Sequence, residues 1–196
     1  MTQASLDLPS PDANADANAD TSDESMTPRT AVGTIAGLVS GDGFLSSGER
    51  AELRRVDLKM PITPALWRVL GHTGQFAPDK MRDRQKERWE RRWGVLVSGM
   101  AHVPNLHRYE VPLGQALAEA GWSQMRFVRL MEADPETLPV LLRRMAKYLA
   151  SKEQPANWDD VRRLLFTTDA DRAESVRLGI SRSYYRTIYA QEDSDE

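Results

Sequence analysis

Over residues 111–149, VPLGQALAEAGWSQMRFVRLMEADPETLPVLLRRMAKYL, apolar side chains recur with a helical period, and this stretch constrains the fold more than any other. Leu113, Ala116, Leu117 and Ala120 stand at i, i+3, i+4 and i+7; Phe127, Leu130 and Met131 repeat the pattern, as do Leu138, Leu141, Leu142, Met145 and Leu149. Such spacing lines one face of a helix with groups to be buried, so three helices in succession are predicted. The positions left over carry Arg126 and Arg129, three apart, then Arg143, Arg144 and Lys147, which the helical repeat sets on one side. That side is a candidate phosphate-binding surface.

The rest of the chain reads in the same class. Ala31 to Val39 is a short apolar segment suited to a first helix, weakened by Gly33 and Gly37. ERAELRRV at 49–56 gives a helical turn or two with Leu53 and Val56 inward and Arg50 and Arg54 together at i, i+4. Thr63-Pro64 is a helix start, since threonine caps free amides and proline in the first turn loses no hydrogen bond. Leu66, Trp67 and Leu70 then face inward, and Gly71 and Gly74 end the helix.

Pro78-Asp79 opens a long helix running to about Met100, with Met81, Gln85, Trp89, Trp93, Leu96, Val97 and Met100 in one stripe. Its Arg84, Arg88, Arg91 and Arg92, interleaved with Asp83, Glu87 and Glu90, read as a solvated face laced with ion pairs. Asn157 caps a helix with Trp158, Val161 and Leu165 inward and Arg162 and Arg163 outward; Val176, Ile180, Tyr184 and Ile188 mark a last one. No segment alternates at period two for long, and no Asn-Gly or Asp-Gly turn separates two β-branched runs. The expected fold class is all-α, a helical bundle with disordered acidic tails. The expected organisation is a disordered acidic extension over 1–27, a helical domain over 28–190 and an acidic tail over 191–196. The helical domain is divisible into lobes 28–108 and 109–190.

The net charge of −3 averages over unlike segments. Residues 1–30 carry six acids and one base, residues 191–196 carry four acids, and removing both ends leaves +6 for residues 31–190. A positive core between acidic ends suits a nucleic-acid binder. Nothing approaches the roughly 18 consecutive apolar residues of a membrane span, and the N-terminus lacks the order of a signal peptide, so a cytoplasmic protein without membrane contact is expected.

Catalysis has no visible foothold. With zero cysteines there is no thiolate ligand or cysteine nucleophile. His72, His102 and His107 are expected in loops or on the surface, and Pro104 breaks the one close pair, so no metal site is expected. No phosphate-cradling Gly-x4-Gly-Lys loop, dinucleotide fingerprint or Gly-x-Ser-x-Gly elbow occurs, and the chain reads as a non-enzyme without a cofactor. Trp67, Trp89, Trp93 and Trp158 fall at core spacing; Trp122, beside Gly121 in a turn, is less constrained.

The order GERAELRRV, PALWRVL, VPLGQALAEAGWSQMRFVRLMEAD, LPVLLRRMAKYLASK and NWDDVRRLL resembles the CasB family, the small subunit of the type I-E CRISPR surveillance complex Cascade. The resemblance covers about residues 49–165. It implies an all-helical, non-enzymatic structural subunit in antiviral defence, present as two copies beside the backbone and large subunits. It further implies contact with the guide RNA–target DNA R-loop, chiefly the displaced single strand. By position it gives Arg54, Arg55, Arg126, Arg129, Arg143, Arg144, Arg162 and Arg163 a nucleic-acid-binding role, and Lys147 shares their face. Family members often have a basic residue in the LG-x-AL motif where this chain has Gln115, so the track has a gap there. Two other classes fit the residues: a purely architectural subunit whose arginines pair with acidic neighbours, and a free-standing helical DNA-binding regulator with Ser123 to Asp134 as its reading helix.

Overall fold

The computed structural model describes residues 26–41 and 43–195; the extension over 1–25, expected to be disordered, lies outside the described residues. Among them stand nine helices: α1 (Pro28–Ser40), α2 (Ser47–Arg55), α3 (Pro64–Thr73), α4 (Asp83–His102), α5 (Leu113–Glu119), α6 (Gln124–Met131), α7 (Leu138–Ser151), α8 (Trp158–Phe166) and α9 (Ala170–Asp195). The all-α class is as expected, with a single isolated parallel bridge between His107 and Ala156 as the only strand-like pairing among the described residues. No helix there is long and apolar enough to cross a membrane.

The helix ends follow the local chemistry. Thr27 accepts the Thr30 amide at 3.3 Å and Pro28 opens α1, so the cap of α1 falls inside the segment expected to run to residue 27. Ser46 and Glu49 form a reciprocal capping box on α2, with Glu49 accepting the Ser46 amide at 2.8 Å. Thr63 caps α3, which ends at Gly74 in the left-handed region at φ 62°. α1 persists through Gly33 because Ala31, Val32, Ile35 and Val39 are buried, and glycine at 33 leaves room for Tyr109, whose hydroxyl would lie 2.9 Å from a Cβ there.

Two expected boundaries are corrected. α4 starts at Asp83, not at Pro78-Asp79: Met81 donates back to Pro78 O to close a lone turn, and Gln85 Oε1 then caps the Arg82 amide at 3.1 Å. Gln85 is accordingly exposed, outside the core stripe. The C-terminal residues, expected as a disordered tail from 191, continue α9 to Asp195, since extending a nucleated helix adds one hydrogen bond per residue fixed.

The core is the one read from the sequence. α4 runs through the middle, packed by α1, α2, α7 and α8, while α5 lies along α9. Every apolar position expected over 113–149 is buried, and Trp93, Trp158, Tyr184 and Phe127 are the largest fully buried groups. Trp67 and Trp89 pack against this core half-buried.

The α5–α9 crossing has no room for a side chain at Gly114. A Cβ there would sit 2.1 Å from Ile180 O and 2.7 Å from the Tyr184 amide, both backbone atoms. Gly114→Ala is expected to cost about 3 kcal/mol, the upper range for overpacking, because backbone cannot rotate aside. Gly179→Ala, on an open face of α9 with nothing within 4 Å, should stabilise by roughly 0.5–1 kcal/mol. Urea unfolding of the two variants checks the pair; equal effects would mean α5 and α9 separate freely.

Candidate nucleic-acid interface

The turn from α5 to α6 is built before any charge is placed on it. Gly121 takes φ 75°, and the Trp122 amide closes back on Leu117 O at 2.8 Å. Two tyrosine hydroxyls then pin the turn from outside. Tyr148 of α7 donates to Ala120 O at 2.8 Å, and Tyr184 of α9 donates to Trp122 O at 2.5 Å. Phe127 of α6 stacks on Tyr184 with ring centroids 3.9 Å apart, so α6 is held at both ends of its first turn.

On this frame α6 and α7 enclose a groove of about 510 Å³. Leu130, Leu141, Trp122 and Tyr148 form its floor, and Arg126, Arg129, Arg144 and Lys147 form its rim. No carboxylate lines it among the described residues. Trp122 and Tyr148 meet edge to face at 4.8 Å, and the Arg126 guanidinium lies over the Trp122 ring at 5.5 Å. Trp122 is only 7 % exposed and covered by Arg126, so it is a platform for the cation rather than for a base. Its buried Nε1–H has no acceptor among the described residues. Four cations on a low-dielectric floor with no counter-charge among the described residues make a surface suited to a polyanion carrying several phosphates.

A second cluster joins this one through Lys147. Burial above all, then the charges of Lys147, Arg143 and Arg54, holds the His102 imidazole down at about 4. The ring is half-buried at the end of α4, not on the surface as expected. Arg54 and Arg143 thus belong to one positive neighbourhood, but Arg143 faces inward. Its guanidinium donates to Val56 O and to Ser98 Oγ, tying α7 to the end of α2 and the middle of α4. The Arg144 side chain, one residue on, is exposed on the groove.

The remaining expected residues stand apart from the groove. Arg55 lines a shallow depression with Glu52 and Asp57. Arg162 bonds Asp159 at 2.6 Å and Arg163 lies 3.7 Å from Asp160, so both α8 arginines are matched by acids in the first turn of their own helix. Asp160 also accepts the Leu113 amide at 3.0 Å, capping α5 from α8; burial raises its pKa against that bond. Gln115 hydrogen-bonds Glu119 at 2.7 Å, and Glu119 takes a second bond from Gln154 at 2.8 Å. The expected gap in the basic track is filled by a small polar cluster.

Sequence reasoning missed two features. The aromatic floor needs Trp122 and Tyr148 to meet across 26 residues, which no local pattern announces. The α4 arginines form none of the expected ion pairs among the described residues: Arg88 donates to Arg84 O, Arg91 to Leu58 O, and Arg92 sits over the Phe166 ring at 5.9 Å. Their spacing held the signal, since Arg84, Arg88 and Arg92 are four apart and make a stripe of one sign. No group of three His, Asp or Glu among the described residues is placed to hold a metal.

The family model described as CRISPR-associated protein Cse2 matches residues 49–185. Among solved structures, the chain is similar to a chain of E. coli Cascade bound to a PAM-containing dsDNA target, with TM-score 0.60 and 21% identity over 80% of this chain and 95% of that one. CasB from M. ruber gives TM-score 0.61 and 22% identity over 85% of this chain and 98% of that one. CasB from Thermobifida fusca gives 0.61 and 18% over 80% and 94%. At these identities the structural likeness speaks for the fold. No curated protein sequence matches the chain.

The two neighbouring arginines of α7 should behave differently on substitution. Arg143→Gln is expected to destabilise by about 1–3 kcal/mol, because the buried Val56 carbonyl loses its donor, while Arg144→Gln stays within about 0.5 kcal/mol. Chemical denaturation reads both. His102 sets a pH dependence: below about 6.5 the unfolded ring takes up a proton, whereas the folded ring resists to about 4. Stability is therefore full above pH 6.5 and falls as pH drops toward 4. His102→Gln should flatten that slope, leaving the share of His107, whose pKa burial also lowers. Thermal melts from pH 7 to 5 check it.

Proposed function

The chain belongs to the CRISPR-associated Cse2 (CasB) family, and from that premise we propose that it is a non-catalytic structural subunit of an RNA-guided Cascade complex that stabilises the R-loop. It stands there beside a second copy of itself and the backbone and large subunits. The α6–α7 groove binds the backbone of the displaced non-target strand through Arg126, Arg129, Arg144 and Lys147. The observation that carries this reading is the groove itself: three of the family-matched arginines and Lys147 gathered on one apolar floor, with no carboxylate lining it among the described residues. The E. coli relative is a chain of a Cascade bound to a dsDNA target, which supports the same assignment.

The physical role follows from the energetics of strand exchange. Replacing a DNA duplex by an RNA–DNA heteroduplex is nearly balanced, so contacts to the strand left over decide the outcome. Phosphate contacts release counterions and read no bases, which suits a subunit that must accept every target. Arginine grips phosphate with a planar fork and Lys147 adds a point charge. Arg54 extends the positive surface past His102. Arg143 acts by holding α7 in place, and Arg162 and Arg163 would have to leave Asp159 and Asp160 to reach a phosphate, so they come second.

The reading is tested in the reassembled complex with Arg126, Arg129, Arg144 and Lys147 changed to Gln. Losing four single-strand phosphate contacts should flatten the log–log salt slope of R-loop formation by about 3. Photo-crosslinking from the groove should also lose the displaced strand. An unchanged slope together with crosslinks only to neighbouring subunits would sink the proposal in favour of an architectural role. Strand binding should in addition raise the His102 pKa from about 4, as phosphates offset Lys147, Arg143 and Arg54.

A further inference from the structure

α4 carries a second basic surface that the proposed function leaves unused. Arg88, Arg91 and Arg92 face Arg177 of α9 around a cavity of about 550 Å³ floored by Leu138 and Leu164, with Glu136 as the one carboxylate lining it among the described residues. None of the four arginines lies within 4.0 Å of a carboxylate among the described residues. Arg92 is half-buried, and burial together with the Arg88 charge weakens its hold on its proton. Crowding like charges on an apolar floor costs stability unless an anion shares the site.

We propose that this groove is the docking site for the chain's own acidic N-terminal segment, residues 1–25, which lies there in competition with nucleic acid. Charge complementarity is the first ground. The segment carries Asp7, Asp12, Asp16, Asp20, Asp23 and Glu24 and no Lys or Arg, and Leu6 and Leu8 flank Asp7 as apolar partners for the floor. The place where the segment leaves the fold is the second. Met26 is held by Gln75, whose Nε2–H donates to Met26 O at 2.7 Å, and Gln75 O accepts the Trp89 indole at 2.9 Å. Trp89 meets Phe166 edge to face at 5.1 Å, and Arg92 covers that same ring. Met26 is therefore joined to Arg92 at the groove through a relay of three side chains, Gln75, Trp89 and Phe166.

Length is the third ground. Seventeen residues lie between Leu8 and Met26, and a random coil of that length averages about 20–25 Å end to end. Tethering at that range gives an effective concentration on the order of millimolar, enough for weak charge pairing to hold. A nucleic acid arriving from solution has no such advantage. Groove and segment belong to one chain, so the inference stands or falls apart from the Cascade assignment.

The test uses the full chain. Its neutral-tail variant carries Asp7→Asn, Asp12→Asn, Asp16→Asn, Asp20→Asn, Asp23→Asn and Glu24→Gln. In nitrogen-15 spectra at low salt, the Trp89 indole should shift between wild type and variant, and salt should move the wild-type signal toward the variant position; the Trp122 indole, at the other groove, should stay still. A thymidine oligonucleotide should bind the variant about tenfold more tightly, the gain expected where a groove is nine-tenths occupied by a competitor. That gain should vanish when Arg88, Arg91 and Arg177 are changed to Gln. A stationary Trp89 signal, a shift at Trp122 in its place, or an equal gain with and without the three arginines would each overturn the proposal. An oligonucleotide that binds the groove equally well with either tail would also overturn it, and would make the groove a nucleic-acid site. The salt titration of the unaltered chain stands even if a substituted form folds poorly.

Discussion

The backbone contact between α5 and α9 at Gly114 is the constraint on which the candidate site depends. Because no side chain separates the two helices there, α5 runs close along α9 and delivers the following turn to Tyr184. That hydroxyl fixes the carbonyl of Trp122, and the ring of the same tyrosine stacks on Phe127. α6 is thereby set against α7 with Arg126 and Arg129 opposite Arg144 and Lys147. Close packing transmits such placement because interiors yield little.

Charge on this protein is sorted by partner, not by residue type. Arg143 and Arg144 are adjacent on one helix, yet one satisfies a backbone carbonyl 87 residues away and the other borders an open groove. The α8 pair answers acids within its own first turn, where Asp159 and Asp160 also favour the helix dipole. The groove cations have no such answer among the described residues. A positive core of ordinary composition thus divides into arginines that build the fold and arginines that the fold leaves free.

Helical periodicity made the core legible: every position from Leu113 to Leu149 assigned inward is buried. The faces were legible in large part, since of Arg126, Arg129, Arg143, Arg144 and Lys147, all placed outward by spacing, every one but Arg143 borders the groove. Their convergence was not, because it rests on Tyr148 and Tyr184 reaching the α5–α6 turn from 28 and 62 residues away. The inward turn of Arg143 hid for the same reason. α4 failed differently: acids interleaved in the chain suggested pairing, although the four-residue repeat of Arg84, Arg88 and Arg92 placed like charges together. Local spacing reports faces, and only tertiary contacts report what a face meets.

The pinned turn beneath the α6–α7 groove has a kinetic consequence. With Gly121 already left-handed and two hydroxyls on its carbonyls, the cations need no loop to order before they act. A strand freed a few nucleotides at a time would be caught as it emerges, with the cost of organising the receptor met during folding. In the proposed role, each captured step would oppose reclosure of the duplex behind it. On that proposal the surface would work as a ratchet on a reversible process, its rigidity setting the direction as much as its charge sets the strength.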